Sequence, residues 1–191
     1  NYQVQHNLLL NSITINIISC HTIWQLIMNL EQKYLALLHD AEQRQLNDID
    51  GIRLCFQTLS LAAAIDRNCA TLLAPHKLSE GRFILLFLLD AAPNGLAPNQ
   101  LAEKAGITRA TVTGLLDGLQ REDLIERKID LQDRRALNIH LTPQGKQTAQ
   151  QVIGQHSQWI ASLFNHLSLS ERHQLSTLLN KVSNGLKDNT P

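Results

Sequence analysis

Residues 101–119 read LAEKAGITRATVTGLLDGL, and this stretch decides the fold. Just before it, Pro98 suits the first turn of a helix that we expect over residues 99–104. Gly106 lies in a tight turn after that helix, and Thr108 is a good N-cap residue for a second helix. Two short helices joined by a tight turn predict a helix-turn-helix.

The second helix has one apolar face and one face of small residues. Apolar side chains recur with the i, i+3, i+4, i+7 spacing of a helix face that packs on a core. These positions are Val112, Leu115, Leu116 and Leu119. The opposite face carries Ala110 and Gly114, which let a helix backbone approach base edges in a DNA major groove about 12 Å wide. Arg109, Thr111 and Thr113 supply hydrogen-bond donors beside them. Taken alone, this helix also fits a core helix with a plain outer face.

A β-hairpin is predicted after the second helix. Residues 124–129 alternate as a strand does, and residues 137–141 alternate again. The predicted tip carries Arg134 and Arg135 beside Asp133. Arginines at a hairpin tip can enter a minor groove, and Asp133 can orient one of them through an ion pair. The other interpretation of these charges is a solvated turn.

Helices surround this central region. The predicted helices cover residues 30–45, 51–73, 80–90, 143–165 and a last stretch from Ser168 onward. Residues 83–89 are apolar nearly all round, which predicts a helix buried in a core. In the helix that starts after Thr142, Ile160 is among the residues expected to face inward. The fold class is therefore mainly α, with a small β-hairpin wing.

We divide the chain into four segments by this pattern. They are an uncharged extension over residues 1–30, N-terminal helices over 31–90, a winged helix-turn-helix lobe over 91–142 and C-terminal helices over 143–187. The single methionine, Met28, gives two interpretations of the extension. Either residues 1–27 lie upstream of the natural start, or they form a helix that packs in a dimer.

Composition limits the function classes. The 191 residues carry 17 basic and 17 acidic side chains, so any DNA binding depends on local placement of charge. Three cysteines, an odd and sparse count, suit a reducing compartment, and we expect a cytoplasmic protein. Without a run of about 18 apolar residues, no membrane span is expected. The chain lacks GxSxG, P-loop, HExxH and Cys-x-x-Cys patterns, and its histidines lack metal-ligand spacing, so we expect neither an enzyme, a cofactor nor a metal site.

Residues 101–119 resemble the helix-turn-helix of the MarR family of transcriptional regulators. The segments similar to that family's wing and next helix are residues 124–127, Asp130, 133–135 and 141–145. The resemblance spans roughly residues 50–186. Leu131 departs from it, because a proline is usual at that position.

The resemblance implies a homodimeric DNA-binding regulator. The N- and C-terminal helices would form the dimer, and the recognition helices would enter successive major grooves of a pseudo-palindrome. The family's regulation is repression or activation that a small ligand or an oxidant relieves, and of the two we expect repression. The effector pocket would lie between the dimer helices and the DNA-binding lobe. The implied DNA contacts are Thr108, Arg109, Ala110, Thr111, Thr113, Gly114, Arg134 and Arg135, with Asp133 as organiser of the wing. The alternative is a winged-helix module for protein contacts or for DNA tasks other than regulation.

Cys55 is a candidate redox residue. Leu54-Cys55-Phe56 resembles a peroxide-sensing branch of the family, in which tyrosines further along the chain assist the cysteine. Cys69 stands at one of those tyrosine positions here, so the assisting set is absent. Apolar neighbours of Cys55 favour simple burial instead, since thiols are among the most buried groups.

Overall fold

The computed structural model describes residues 30–129 and 137–188. In chain order the elements are α1 (Gln32–Gln43), α2 (Ile49–Leu73), a 3₁₀ turn (Ala74–His76), α3 (Glu80–Asp90), α4 (Pro98–Ala105), α5 (Arg109–Arg121), β1 (Ile125–Ile129), β2 (Leu137–Leu141), α6 (Pro143–Ser162) and α7 (Leu169–Asp188). This confirms the mainly α fold with a small antiparallel hairpin. The described part forms two compact units that divide between Asn68 and Cys69.

The first unit is a helical hairpin of α1 and the N-terminal part of α2. Arg67 donates to the carboxylate of Glu31, at the start of α1. At the other end of α1, Arg53 Nη2 lies 3.0 Å from Glu42 Oε1. One ion pair joins the start of α1 to the C-terminal part of α2, and the other joins the end of α1 to the start of α2. The two helices therefore run antiparallel.

The second unit is built around α3, which contacts α4, α5, α6 and β2. Ser79 caps α3 by accepting a hydrogen bond from the backbone N–H of Arg82. The largest fully buried side chains of this unit are Leu73, Leu85, Leu86, Leu101, Val112, Leu116, Leu119, Ile125, Ile139 and Val152. Three of them belong to the predicted apolar face of α5, which is therefore confirmed as the core face.

The hairpin is fixed to this core through its second strand. β1 and β2 pair antiparallel with Arg127 opposite Ile139. The buried Ile139 also exchanges both backbone hydrogen bonds with Leu96, at 2.9 and 3.1 Å, just before α4. The base of the wing is thereby tied to the helix-turn-helix.

Four sequence expectations were wrong in detail. Helix α3 is not buried all round, because Phe87 is 48% exposed, and Ile160 of α6 is 45% exposed rather than inward. The burial expected for Cys55 does not occur either, since its thiol is exposed. Helix α6 ends at Ser162, three residues before the predicted end at 165. Apolar periodicity identifies a core face, but it cannot tell a core from an apolar surface left open in one chain.

Candidate nucleic-acid interface

The N-terminus of α5 is capped and held in place by hydroxyl groups. The Thr108 side chain accepts a hydrogen bond from the backbone N–H of Thr111 at 3.2 Å, as predicted. The two threonine hydroxyls also lie 2.8 Å apart. Gly106 precedes them with φ of 66°, a left-handed conformation that glycine adopts without strain. The turn therefore sets the direction of α5 through glycine geometry and side-chain capping.

The predicted contact residues of α5 and its N-cap are exposed, and Ala110, Thr113 and Gly114 lie together on one face of the helix. Thr108, Arg109, Ala110, Thr111, Thr113 and Gly114 are all exposed. A Cβ added at Gly114 would meet nothing within 4 Å. At Gly118, one helical turn further along, a Cβ would lie 2.2 Å from the guanidinium of Arg82. Arg82 therefore covers Gly118 with a flexible side chain, whereas the glycine at 114 leaves open space in front of the helix.

The hydroxyl of Thr113 is already engaged within the helix. Its Oγ1 donates to the backbone carbonyl of Arg109 at 3.0 Å. In this arrangement its oxygen presents lone pairs, which can accept from base amino groups, rather than the free donor expected from the sequence. The Arg109 side chain remains the cationic donor of this first turn.

Sequence reasoning missed an ion pair that joins α5 to the wing. The guanidinium of Arg127, on β1, donates to Oδ1 of Asp117. Each residue can be recognised from the sequence by itself, Asp117 as an acid on the outer face of α5 and Arg127 as a base on a strand. Their pairing depends on the angle between helix and strand, which residue spacing does not supply.

The wing tip falls outside the described residues. Asp133, Arg134 and Arg135 lie within residues 130–136, and their contacts stay a prediction. The base of the hairpin is described: Thr142 Oγ1 donates to the carbonyl of Asp123 at 2.6 Å and accepts from the N–H of Gly145 at 2.9 Å.

A cavity of about 470 Å³ lies between α3 and α6. It is lined by Phe83, Ile84, Phe87, Leu88, His156, Ser157, Ile160 and Ala161. The exposed Phe87 and Ile160 noted above belong to this lining. A cavity of such size with apolar walls and few polar groups is typical of small-molecule sites.

His156 is the ionisable side chain of this lining. Its ring lies 4.4 Å from that of Phe83, and its Nε2 lies 3.5 Å from Sγ of the buried Cys69. Burial lowers the pKa of His156, and the nearby charge of Glu80 opposes that shift. The imidazole is therefore held in its neutral form more readily than in water.

The candidate redox residue lies in the first unit. Cys55 is exposed and lines a shallow cavity of about 410 Å³ between α1 and α2, together with Leu37 and Phe56. Within residues 30–129 and 137–188 there is no group of three or more side chains that could hold a metal ion. Nor does this part of the chain contain a helix long and apolar enough to cross a membrane.

Comparison with known proteins gives consistent matches. Residues 78–137 match the model of the MarR family. The HTH-type transcriptional repressor YetL of Bacillus subtilis is 31% identical over 148 residues, which cover 77% of this chain and 89% of YetL. The crystal structure of the MepR–DNA complex of Staphylococcus aureus is 26% identical with a TM-score of 0.60, covering 69% of this chain and 96% of that one. The structure of S. aureus MepR bound to ethidium bromide is also 26% identical, with a TM-score of 0.51 and coverage of 69% and 95%.

Proposed function

Because this chain belongs to the MarR family, whose members named above are transcriptional regulators rather than enzymes, we propose that it represses transcription by binding a pseudo-palindromic operator in duplex DNA. It acts in the cytoplasm as a homodimer and leaves the operator when a small molecule binds. The observation that carries this proposal is the exposed face of α5, with its capped N-terminus and the open space in front of Gly114.

This face has the features that major-groove recognition needs. The small Ala110 and Gly114 permit close approach of the helix backbone to base edges. Arg109 supplies a bidentate donor for guanine, and Thr113 supplies an acceptor. Arg134 and Arg135, oriented by Asp133, would contact the adjacent minor groove. The relative solved with DNA supports duplex DNA as the partner.

Selection from a random duplex library tests the proposal directly. The purified protein should enrich one short inverted repeat, with half-sites about one helical turn apart. On that sequence, Arg109→Ala should bind about tenfold more weakly, since a bidentate base contact contributes about 1–3 kcal/mol. Thr113→Val should relax preference at one base position. Arg44→Ala, which removes an exposed cation of the first unit, is the matched control and should bind as the wild type does.

Two results of this selection would contradict the proposal. A library without an enriched repeat refutes sequence-specific binding. Equal binding by Arg109→Ala and the wild type would refute the assigned α5 interface. A protein that enriches nothing would favour the alternative, a winged-helix module for protein contacts or for non-regulatory DNA tasks.

The homodimer is supported by apolar side chains that one chain leaves in water. In α7, Leu178, Leu179 and Val182 are each more than half exposed. A contiguous apolar surface of this kind favours a partner helix. We assign dimerisation to residues 31–90 and 143–187. Sedimentation equilibrium should report a dimer, and Leu178→Asp should shift it toward the monomer. Monomeric wild-type protein at micromolar concentration would contradict this assignment.

Helix α3 offers a route from the cavity to DNA. One of its sides supplies Phe83 and Phe87 to the cavity lining. Its N-terminal turn contacts α5, because Arg82 covers Gly118. A ligand that displaces Phe83 would therefore shift α3 and the recognition helix together. MepR bound to ethidium bromide supports an effector of this general kind.

In a second mode of regulation, oxidation of Cys55 releases the protein from the operator. Its support is the exposure of the thiol, which a redox-sensing cysteine requires. Peroxide should then release wild-type protein from the operator and leave Cys55→Ser bound. Equal release of both proteins would assign the response to another residue.

A further inference from the structure

The exposed face of α5 contains one feature that opposes DNA binding. Asp117 is the single acidic residue of α5, and its side chain is 54% exposed. A carboxylate on a surface that meets phosphates weakens association through charge repulsion. If this face of α5 alone contacted DNA, the protein would bind DNA more tightly without the Asp117 carboxylate.

Two arginines donate hydrogen bonds to Asp117, one to its side chain and one to its backbone. The guanidinium of Arg127 donates to its carboxylate, and Nε of Arg121 donates to its backbone carbonyl at 3.3 Å. On β1, the strand that carries Arg127, Nζ of Lys128 lies 2.7 Å from Oε1 of Glu126. The Asp117–Arg127 pair thus connects the recognition helix with the middle of β1.

We propose that Asp117 is a positioning residue, which fixes the angle between the wing and the recognition helix so that both reach DNA at once. This inference rests on the proposed DNA interface of α5. Because Arg127 stands opposite Ile139 in the hairpin, holding its side chain orients both strands. Exposed ion pairs add little to folding stability, so the effect of this one lies in orientation.

Removing the charge of Asp117 distinguishes a positioning role from charge repulsion alone, because the two predict opposite changes in DNA affinity. Asp117→Asn removes a negative charge from the interface, which by charge alone tightens binding. If the pair positions the wing, the same change weakens binding about tenfold, because contacts that set register on the duplex are lost. Asp117→Glu keeps the carboxylate and should stay within about twofold of the wild type.

The experiment measures affinity of the full-length dimer for the selected operator across a salt series. Glu103→Gln, which removes an exposed acid from α4, is the matched charge control and should bind as tightly as the wild type or more tightly. The double variant Asp117→Asn/Arg127→Gln should bind no more weakly than Arg127→Gln alone, because the two side chains act as one pair. Each lost phosphate contact should also reduce the salt slope by about 0.9.

Hydrogen exchange supplies a readout independent of DNA. In Asp117→Asn, amides of residues 125–129 should exchange faster while the melting temperature stays within about 2 °C of the wild type. Asp117→Asn that binds as tightly as the wild type, or more tightly, overturns the inference. If Arg109→Ala is weakened in the same assay, the proposed interface stands and only the positioning role fails. If Arg109→Ala binds normally, the interface itself is wrong.

Discussion

A single methyl group added at Gly145 should strongly destabilise the second unit. Gly145 lies in the first turn of α6. A Cβ built there would lie 1.8 Å from the carbonyl oxygen of Leu124 and 2.7 Å from its carbonyl carbon. Both are backbone atoms, and Leu124 O accepts the N–H of Thr142 at 3.1 Å. A flexible side chain could move aside, but this backbone cannot move without breaking the joint at the base of the wing.

The magnitude follows from the separation. Ordinary contact between carbon and another heavy atom needs about 3.5 Å, so the turn would have to open by roughly 1.7 Å. Overpacking of this kind costs about 1–3 kcal/mol. Loss of the hydrogen bonds from Thr142 to Leu124 and Asp123 adds about 1 kcal/mol each. We expect Gly145→Ala to lower the free energy of unfolding by about 3–5 kcal/mol.

Gly154 provides the matched control within the same helix. A Cβ at Gly154 would meet nothing within 4 Å, and the residue is exposed. Gly154→Ala should therefore raise stability by up to about 1 kcal/mol through helix propensity. Urea unfolding followed by circular dichroism, at equal protein concentration, measures both. With a slope near 2 kcal/mol per molar, the midpoint of Gly145→Ala should fall by about 2 M. Equal midpoints for Gly145→Ala and the wild type, or shifts of both variants in one direction, would refute the reasoning.

Three further predictions concern the interface, the cavity and the thiols. Gly114→Ala should stabilise the protein by up to about 1 kcal/mol yet weaken operator binding, because the methyl fills the open space in front of α5; tighter binding would contradict this. The wild type should lose stability as pH falls below about 6.5, the usual pKa of histidine, because the unfolded chain takes up a proton at His156 before the folded chain does. His156→Gln should lose less over that range in thermal melts, and equal losses would count against it. A thiol reagent should label Cys55 rapidly and Cys69 only on unfolding, as mass spectrometry of the labelled peptides would report; equal rates would contradict the difference in burial.

Much of the helix-turn-helix could be predicted because its signals are local. Thr108 as N-cap and Gly106 in the turn follow from backbone chemistry over three or four residues. The buried face of α5 follows from helical periodicity, and Val112 and Leu119 are both fully buried. Such features depend on neighbouring residues alone, and one sequence contains that information.

The remainder depends on contacts between distant elements. The Asp117–Arg127 pair and the contact of Cys69 with His156 require knowledge of how helices and strands cross. Phe87 misled the sequence analysis because an apolar side chain on a cavity wall looks the same in sequence as one in a core. Cys55 misled it for a similar reason, since its apolar neighbours line an open cavity.

The division of α5 into two faces has a consequence for how such proteins diverge. Its inward side chains are locked by the core, whereas positions such as Ala110, Thr113 and Gly114 support nothing beneath them. Substitutions at these positions can accumulate without compensating changes elsewhere. After gene duplication, two copies could acquire separate target sequences while keeping one scaffold, and cross-talk between them could be lost in a few mutational steps.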